Sequence, residues 1–399
     1  MLIELNISKI ILYVFLGTIA LFQLFYILNV IIFAYFDKEG KAGIKNIDKK
    51  ISIIIPLFNS EKTIDICLDS VLKNNLSLID AVVIILDHCS DTSADKASSY
   101  LEKFKKAGIR FEINSLGYSK IGKVNAIKSG MKFVKTENIV LLDADIVLKN
   151  DAIEKLLNFH LKNSNIYSSC LIYPYYKQKE GSLISRIIYQ DRLYRQNILK
   201  IIKEKYNVAN FPGSFGIVNM ENYKNFLSTG FLEDLAASFR IISARKKIAI
   251  LPAVLAYEVE RQNFKGLFFQ RVRWSIGNIE NIPLLVKTIF SEKNFFKKFL
   301  IISYPIMWYI QHYCIVIGII VAIFIKFSFF LLTPLFLYFV QILISVFLGR
   351  KEYKSTFLEV VGHCIIFPFI VSASLFGAII MIIMNKKFYF RKNILFNRN

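Results

Sequence analysis

Apolar positions along this chain follow two regimes. Near both ends they run on over membrane lengths, whereas between Ile51 and about Arg245 they form short clusters separated by polar loops. Ile10 to Phe36 carries no charged side chain and, at about 1.5 Å rise per residue, is long enough to cross a hydrocarbon core of about 30 Å with some tilt. Phe299–Ile325, Phe327–Leu348 and Phe357–Met384 are also of membrane length, with Lys326 and the Arg350-Lys-Glu-Tyr-Lys354 loop as charged breaks. The pattern predicts four membrane spans, one before and three after a large polar region. A cleaved signal peptide is the alternative for the first run, but the run exceeds an h-region of about 7–15 residues and no small-x-small cleavage site follows it.

Within the polar region the apolar clusters alternate between two periods. Ile51-Ser-Ile-Ile-Ile-Pro56 is a β-branched run suited to a strand buried on both faces, ending at a proline that cannot donate to a ladder. Ser60 is a fair N-cap, and Ile64, Cys67, Leu68, Val71 and Leu72 follow at helical spacing. Strands at Ala81–Leu86, Ile109–Ile113 and Ile139–Leu142 alternate with helices over about Ser93–Lys106 and Gly122–Val134. Strand-helix-strand repetition predicts an α/β domain with a mixed, mainly parallel sheet and helices on both faces. A further helix is expected from the acidic pair Glu233-Asp234 to about Arg245. Leu183–Lys205 mixes apolar positions with Arg186, Arg192, Arg195, Lys200 and Lys203, and reads as an amphipathic basic helix at a membrane interface or as a domain-surface helix. Phe295-Phe-Lys-Lys-Phe299, ahead of the second span, has the same interfacial character. The division expected is an N-terminal span at 1–36, a polar α/β domain with interface helices at 37–278, and an interfacial segment with about three spans at 279–399.

Charge sets the orientation. Lys38, Lys41, Lys45, Lys49 and Lys50 follow the first span and the middle region is basic, which predicts a cytoplasmic polar domain in a multi-pass protein of the plasma membrane. Three spans after such a domain would leave Lys386, Lys387, Arg391 and Lys392 outside, against the same bias. The formal net charge of +21 is dispersed and accompanies the spans, which suits anionic lipid headgroups and a phosphorylated substrate and argues against nucleic acid. Five cysteines show no metal-type spacing and His160, His312 and His363 no ligand-like spacing; all read as packing residues.

In open α/β sheets ligands bind beyond the carboxyl ends of the strands, and the polar clusters fall there. Phe58 and Asn59 follow the first strand, Asp87 the second, and Asp143 and Asp145 a later one. Two carboxylates at i and i+2 of extended chain point the same way. One can accept from sugar or base hydroxyls while the other holds a divalent cation against a diphosphate. A solvated turn is the plainer reading of that pair, and a turn with helix capping that of Asp87-His-Cys-Ser-Asp91; Lys123 serves a diphosphate or merely solvates a helix.

Pro56-Leu-Phe-Asn59, Asp87-His-Cys-Ser90, Gly122-Lys-Val-Asn-Ala126, Asp143-Ala-Asp145, Glu233-Asp234 and Gln270-Arg-Val-Arg-Trp274 occur in the order seen in family 2 glycosyltransferases. Within that family the chain resembles the membrane-embedded processive polysaccharide synthases of the cellulose, chitin, hyaluronan and poly-N-acetylglucosamine type. The resemblance implies a GT-A domain that takes a UDP-sugar donor and a growing glycan acceptor, with Mg²⁺ or Mn²⁺ as cofactor. It also implies roles: Phe58 against uracil, Asp87 and Asp143 on the uridine, Lys123 at the diphosphate, Asp145 on the metal, Asp234 as general base, and Gln270, Arg273 and Trp274 closing on donor and acceptor. Asp-His-Cys stands where the family has Asp-Asp-Gly, which leaves Asp87, His88 and Asp91 as rivals for the base contact. Phe211-Pro-Gly-Ser-Phe-Gly216 resembles the family's segment whose small residues admit the acceptor. Single transfer to a lipid acceptor is the alternative activity.

Overall fold

The computed structural model describes residues 2–36, 49–117, 120–163, 167–175, 182–210, 212–228, 230–261, 263–324 and 329–384. Residues 37–48, Phe211, Lys326 and the tail bearing Lys386, Lys387, Arg391 and Lys392 lie outside the described residues.

After the long helix α1 (Leu2–Phe36), the polar region opens with β1 (Ile51–Leu57), α2 (Ile64–Leu72), β2 (Ile79–Leu86), α3 (Ser93–Ser98), α4 (Leu101–Lys106), β3 (Arg110–Ser115), α5 (Lys123–Gly130) and β4 (Asn138–Leu142). β1 pairs in parallel with both β2 and β4, and β2 with β3. Ile53 and Ile54 are both fully buried, because β1 is covered on two faces. Ile53 and Ile55 join Leu68, Val71 and Phe104 in one core, and Ile54 joins Val83, Ile85 and Ile127 in the other. The helix expected over Ser93–Lys106 is broken into α3 and α4. Ser98 and Ser99 hydroxyls donate back to the carbonyls of Ala94 and Lys96, and such local bonds compete with a continuing helix.

The second half of the sheet comprises β5 (Ile146–Leu148), α6 (Ala152–Asn163), β6 (Tyr167–Pro174), α7 (Leu183–Tyr194), α8 (Ile201–Lys205), β7 (Phe215–Asn219), α9 (Met220–Lys224), α10 (Glu233–Ser243) and β8 (Ile248–Glu258). The order is β3-β2-β1-β4-β7-β6-β8-β5. β7 runs antiparallel to β4 and β6, and β5 antiparallel to β8, so the sheet is mixed. His160 bridges Ser168 and Asn138 beneath it, and burial pushes its pKa down to about 4. It is a neutral packing histidine.

α7 and α8, joined by the π turn Arg195–Lys200, correct the expectation of a surface amphipathic helix. Asp191, Arg192, Lys200 and Lys203 are all buried. Arg192 pairs with Glu258 at 2.9 Å and with Glu260; Asp191 takes Arg195 at 2.6 Å and Arg271 at 2.8 Å. The arginines find carboxylates inside the protein, Lys200 donates to Cys170 O at 2.6 Å and Lys203 lies over the Tyr304 ring, so the segment serves as a charged layer between sheet and helical bundle.

The bundle contains α11 (Phe264–Glu280), α12 (Ile282–Ser291), α13 (Phe295–Pro305), α14 (Gln311–Phe324), α15 (Thr333–Gly349) and α16 (Phe357–Ile383). Pro305 cannot donate in a helix interior, and the turn Ile306–Ile310 that follows it is a π turn linking α13 to α14. Among the described residues three helices are long and apolar enough to cross a membrane: Ile10–Ile32, Phe295–Ile323 and Phe357–Ile383. The chain is thus a membrane protein. The remaining expected span, Phe327–Leu348, is realised as a 3₁₀ turn at Phe329–Leu332 and the 17-residue α15, about 25 Å long. α1 is stitched to the others by buried amides. Gln23 donates to Pro334 O at 3.0 Å and to Gln311 Oε1 at 3.4 Å, and Gln341 donates to Gln23 O at 3.1 Å.

Candidate active site

The carboxyl ends of β1, β2 and β4 open toward one edge of the sheet, and each loop there is tied to its neighbour. Asn59, held at φ 38°, accepts from Ser90 N at 2.8 Å and donates to Ser90 Oγ at 3.0 Å, joining the loops after β1 and β2. Asp91 is consumed by structure: its carboxylate accepts from Glu61 N at 3.1 Å, Ser93 N at 3.0 Å and the Ser93 hydroxyl. Asp87 accepts from Gly122 N at 2.9 Å and lies 3.2 Å from His88 Nδ1. Of the three rivals, Asp91 is removed, and Asp87 stands at the strand end, bonded to the residue before Lys123. Phe58 is half-buried in the loop after β1.

Lys123 is the hub. Its Nζ lies 2.6 and 2.7 Å from the two oxygens of Asp143, 2.8 Å from Gly213 O and 3.5 Å from Glu233 Oε1. About a quarter of the Lys123 and Asp143 side chains remains open, at 26% and 27%. Desolvation alone would lower the lysine's pKa, but Asp143 and Glu233 more than offset it and hold the ammonium charged above its ordinary range. Desolvation also raises Asp143 and Glu233, against the pull of Lys123. Glu233 therefore belongs to the cluster, next to Lys123. Asp145, half-buried two residues beyond Asp143, is fixed through its backbone, whose carbonyl accepts from Val259 N at 2.8 Å.

Gly213 couples this cluster to α10. Its carbonyl takes Lys123, and its N–H donates to Asp234 Oδ2 at 3.0 Å, while Asp234 Oδ1 accepts from Leu235 N at 2.8 Å. The two glycines here make close contacts within the protein. A Cβ on Gly213 would sit 3.0 Å from that of Asp234, and one on Gly216 would fall 2.3 Å from the Tyr167 hydroxyl. Gly216→Ala is expected to destabilise the domain by on the order of 1–3 kcal/mol, read as a lower thermal midpoint in detergent; an unchanged midpoint would mean Tyr167 moves freely.

α11 carries the Gln-x-x-Arg-Trp residues against the same helix end. A Cβ on Gly277 would strike Leu232 at 2.6 Å, so α11 lies close to the residue two before Asp234. The charge of Arg273 acts on Glu233. The Trp274 ring has Arg271 4.2 Å and Arg195 5.1 Å from its centroid and Trp308 at 6.1 Å; Tyr304 stacks on Trp308 at 5.7 Å. Gln270 Oε1 and Ser214 Oγ are buried and accept or donate no hydrogen bond among the described residues.

The structure thus brings Lys123, Asp143 and Asp234 into one hydrogen-bonded group through Gly213, with Asp87 bonded to the residue before Lys123. It places Trp274 in a separate aromatic and cationic layer on the bundle side. Sequence reasoning missed the bridging Gly213, Glu233 as a partner of Lys123, and the Asp191 clamp on Arg195 and Arg271. A signal for the clamp was present, since Asp191 is an acid set among Arg186, Arg192 and Arg195 and Arg271 lies inside the Gln-x-x-Arg-Trp motif. Among the described residues no group of three or more His, Cys, Asp or Glu side chains could hold a metal.

Residues 52–227 match the family described as Glycosyl transferase family 2. The chain is 27% identical over 237 residues to the poly-beta-1,6-N-acetyl-D-glucosamine synthase of Staphylococcus epidermidis, a match covering 58% of this chain and 55% of that protein. It is 22% identical over 274 residues to the enzyme of the same name from Staphylococcus aureus strain COL, covering 65% and 63%. The chain therefore spans between about half and under two thirds of the curated relatives it matches. In three dimensions it is similar to the mannosyltransferase PcManGT of Pyrobaculum calidifontis, solved with GDP-Man and Mn2+, at a TM-score of 0.60 and 14% identity over 94% of this chain and 100% of that one. The fold is the GT-A type expected from the motif order.

Proposed function

Because the chain carries a glycosyl transferase family 2 domain, we propose that it is an inverting membrane β-glycosyltransferase that extends a polysaccharide from a UDP-sugar and passes the product through its own helices. The observation that carries this reading is the continuity from Lys123 and Asp143 through Gly213 to Asp234, with the motif helix α11 packed against Leu232 at the start of α10. A donor cluster, a carboxylate able to take a proton and an aromatic face for a sugar ring stand in the sequence such a synthase needs. The names of the Staphylococcus relatives make UDP-N-acetylglucosamine the first donor to try.

In this reading Phe58 lies against the uracil, Asp87 and Asp143 bind the uridine, and Lys123 meets the diphosphate. Gln270 and Ser214 bring buried polar atoms that a bound sugar would satisfy. The residues fit a divalent cation of the Mg²⁺ or Mn²⁺ type, which needs only one or two carboxylates when substrate phosphates complete its shell. Asp145 would hold it, and when bound it would neutralise charge on the departing diphosphate. Asp234 accepts the proton of the acceptor hydroxyl, and Gln270, Arg273 and Trp274 hold the donor and the chain end. Residues 1–36 are assigned to an anchoring span, 37–278 to a cytoplasmic catalytic domain and 279–399 to the remaining spans of a multi-pass plasma-membrane protein, with lipids and the growing glycan as partners.

The test is UDP release from purified protein offered a panel of UDP-sugars, with product length measured alongside. A polymer is expected from one donor, and Trp274→Ala is expected to shorten it more than it weakens UDP-sugar binding. A single sugar attached to a lipid would replace polymerisation with single transfer, and undiminished length in folded Trp274→Ala would remove the acceptor role.

A further inference from the structure

A second concave site lies away from the catalytic cluster, at the opposite end of α10. It is a cavity of about 340 Å³ lined by Asn207, Arg245, Lys246, Lys247, Lys293 and Lys297. That volume is within the range of small-molecule sites, about 300–1,000 Å³. Glu292 also lines it, so five cations face one carboxylate, and Glu292 Oε1 already accepts from Asn294 N at 2.9 Å. Among the described residues none of the five cations forms an ion pair, whereas Arg192 and Arg195 are paired with carboxylates and Lys200 donates to Cys170 O.

The backbone is shaped to gather these charges. Arg245 adopts φ 56°, and its N–H and that of Lys246 close the end of α10 on Ile242 O at 2.8 Å and Ile241 O at 3.0 Å. Such a left-handed cap satisfies the helix's last carbonyls, which would otherwise repel an anion, and turns the chain sharply. Asn207, at φ 58°, caps α8 in the same way. From the other side comes the N-terminus of α13, capped by Asn294, whose side chain accepts from Lys297 N. The crowding of like charge is felt nearby: Lys205 has its pKa lowered by burial and by Lys247. Phe290 and Phe295, two residues before Glu292 and one after Asn294 of the lining, are exposed at 79% and 84%, and Phe295 begins a helix of membrane length. Exposed aromatic rings beside lysines at a span's end suit the headgroup layer.

We propose that this basic cavity is a phosphate-binding site at the membrane surface, filled by the headgroup of an anionic phospholipid or by a soluble phosphate compound. Arg245 and the four lysines supply charge-assisted hydrogen bonds to the phosphate oxygens. The ligand ties the last turn of α10, whose first turn carries Asp234, to the start of the second span.

The test uses the full chain in nanodiscs of phosphatidylcholine alone or with phosphatidylglycerol. Retained lipid is counted by native mass spectrometry, and inorganic phosphate binding is titrated in the neutral discs. Wild type is compared with a pocket variant, Lys247→Gln with Lys293→Gln and Lys297→Gln, and with a charge-matched control, Lys128→Gln with Lys132→Gln and Lys135→Gln. Loss of phosphatidylglycerol affinity by about tenfold or more in the pocket variant alone assigns the site to lipid. The same loss for inorganic phosphate, without dependence on phosphatidylglycerol, assigns it to a soluble ligand. Equal binding by wild type and pocket variant, no binding by wild type, or an equal loss in the control overturns the proposal. None of these readouts uses sugar transfer, so the result is independent of the catalytic reading.

Discussion

Asp234→Asn is expected to yield a folded protein that binds UDP-sugar and transfers sugar at least about 10²-fold more slowly than wild type. An acceptor hydroxyl attacking an anomeric carbon must lose its proton as the bond forms, and a carboxylate in hydrogen-bond reach takes it. Asp234 is oriented by two backbone donors, Gly213 N–H at 3.0 Å and Leu235 N–H at 2.8 Å. An asparagine keeps the shape and one acceptor but turns its NH₂ toward one of those donors, a cost of about 1–3 kcal/mol that leaves a fold of this size standing. The helix-terminus contribution of the acidic pair, about 0.3–1 kcal/mol, is too small to account for a hundredfold loss of turnover. Single-turnover transfer, measured beside UDP binding, separates the two roles. Near-normal transfer would move the base elsewhere. Glu233→Gln is expected to act differently, because Glu233 faces Lys123 at 3.5 Å: it should change donor KM more than kcat.

Chelation is expected to abolish turnover altogether, with Mg²⁺ or Mn²⁺ restoring it, and Asp145→Asn is expected to raise the metal concentration needed for half-maximal rate. Asp145 is the carboxylate that the motif resemblance assigns to the metal, whereas both oxygens of Asp143 lie within 2.7 Å of Lys123 Nζ. No third acidic or histidine ligand stands with it among the described residues, so the bulk of any coordination shell comes from diphosphate and water. Metal affinity should accordingly be weak without the nucleotide and strong with it. Calorimetric titration with and without UDP would show this, and full activity in chelator would defeat the assignment.

The parallel half of the sheet was legible because β1, β2 and β4 are β-branched runs that end at Pro56, Asp87 and Asp143, and buried parallel strands take that form. The other half was not. β6 reads Tyr-Ser-Ser-Cys-Leu-Ile-Tyr-Pro, with polar residues buried at Ser168 and Ser169, and β8 is interrupted by Pro252. β6 lacks the alternation that marks a strand, and the apolar run of β8 is cut by a proline that sequence reasoning takes as a strand end. Asp234 and Lys123 were legible from their motifs, whereas Gly213 acts through its backbone, which no side-chain pattern reports. The α7 segment misled for a related reason. Its basic residues imitate a lipid-facing helix, and only the folded chain shows that Glu258, Glu260 and Asp191 take Arg192 and Arg195.

The amides that join α1 to the bundle also impose an order on biogenesis. Gln23 and Gln311 are 288 residues apart, and at a synthesis rate of about 5–20 residues per second the partner emerges from the ribosome roughly 15–60 s after Gln23. During that interval the first helix sits in the bilayer with its glutamine unmatched while the whole catalytic domain is translated and folds beside it. Bundle closure is therefore a late event, after the sheet has been translated. A ribosome that stops before α14 leaves behind the sheet tethered by its first helix, with the Gln23 contacts to Gln311 and Pro334 still unmade.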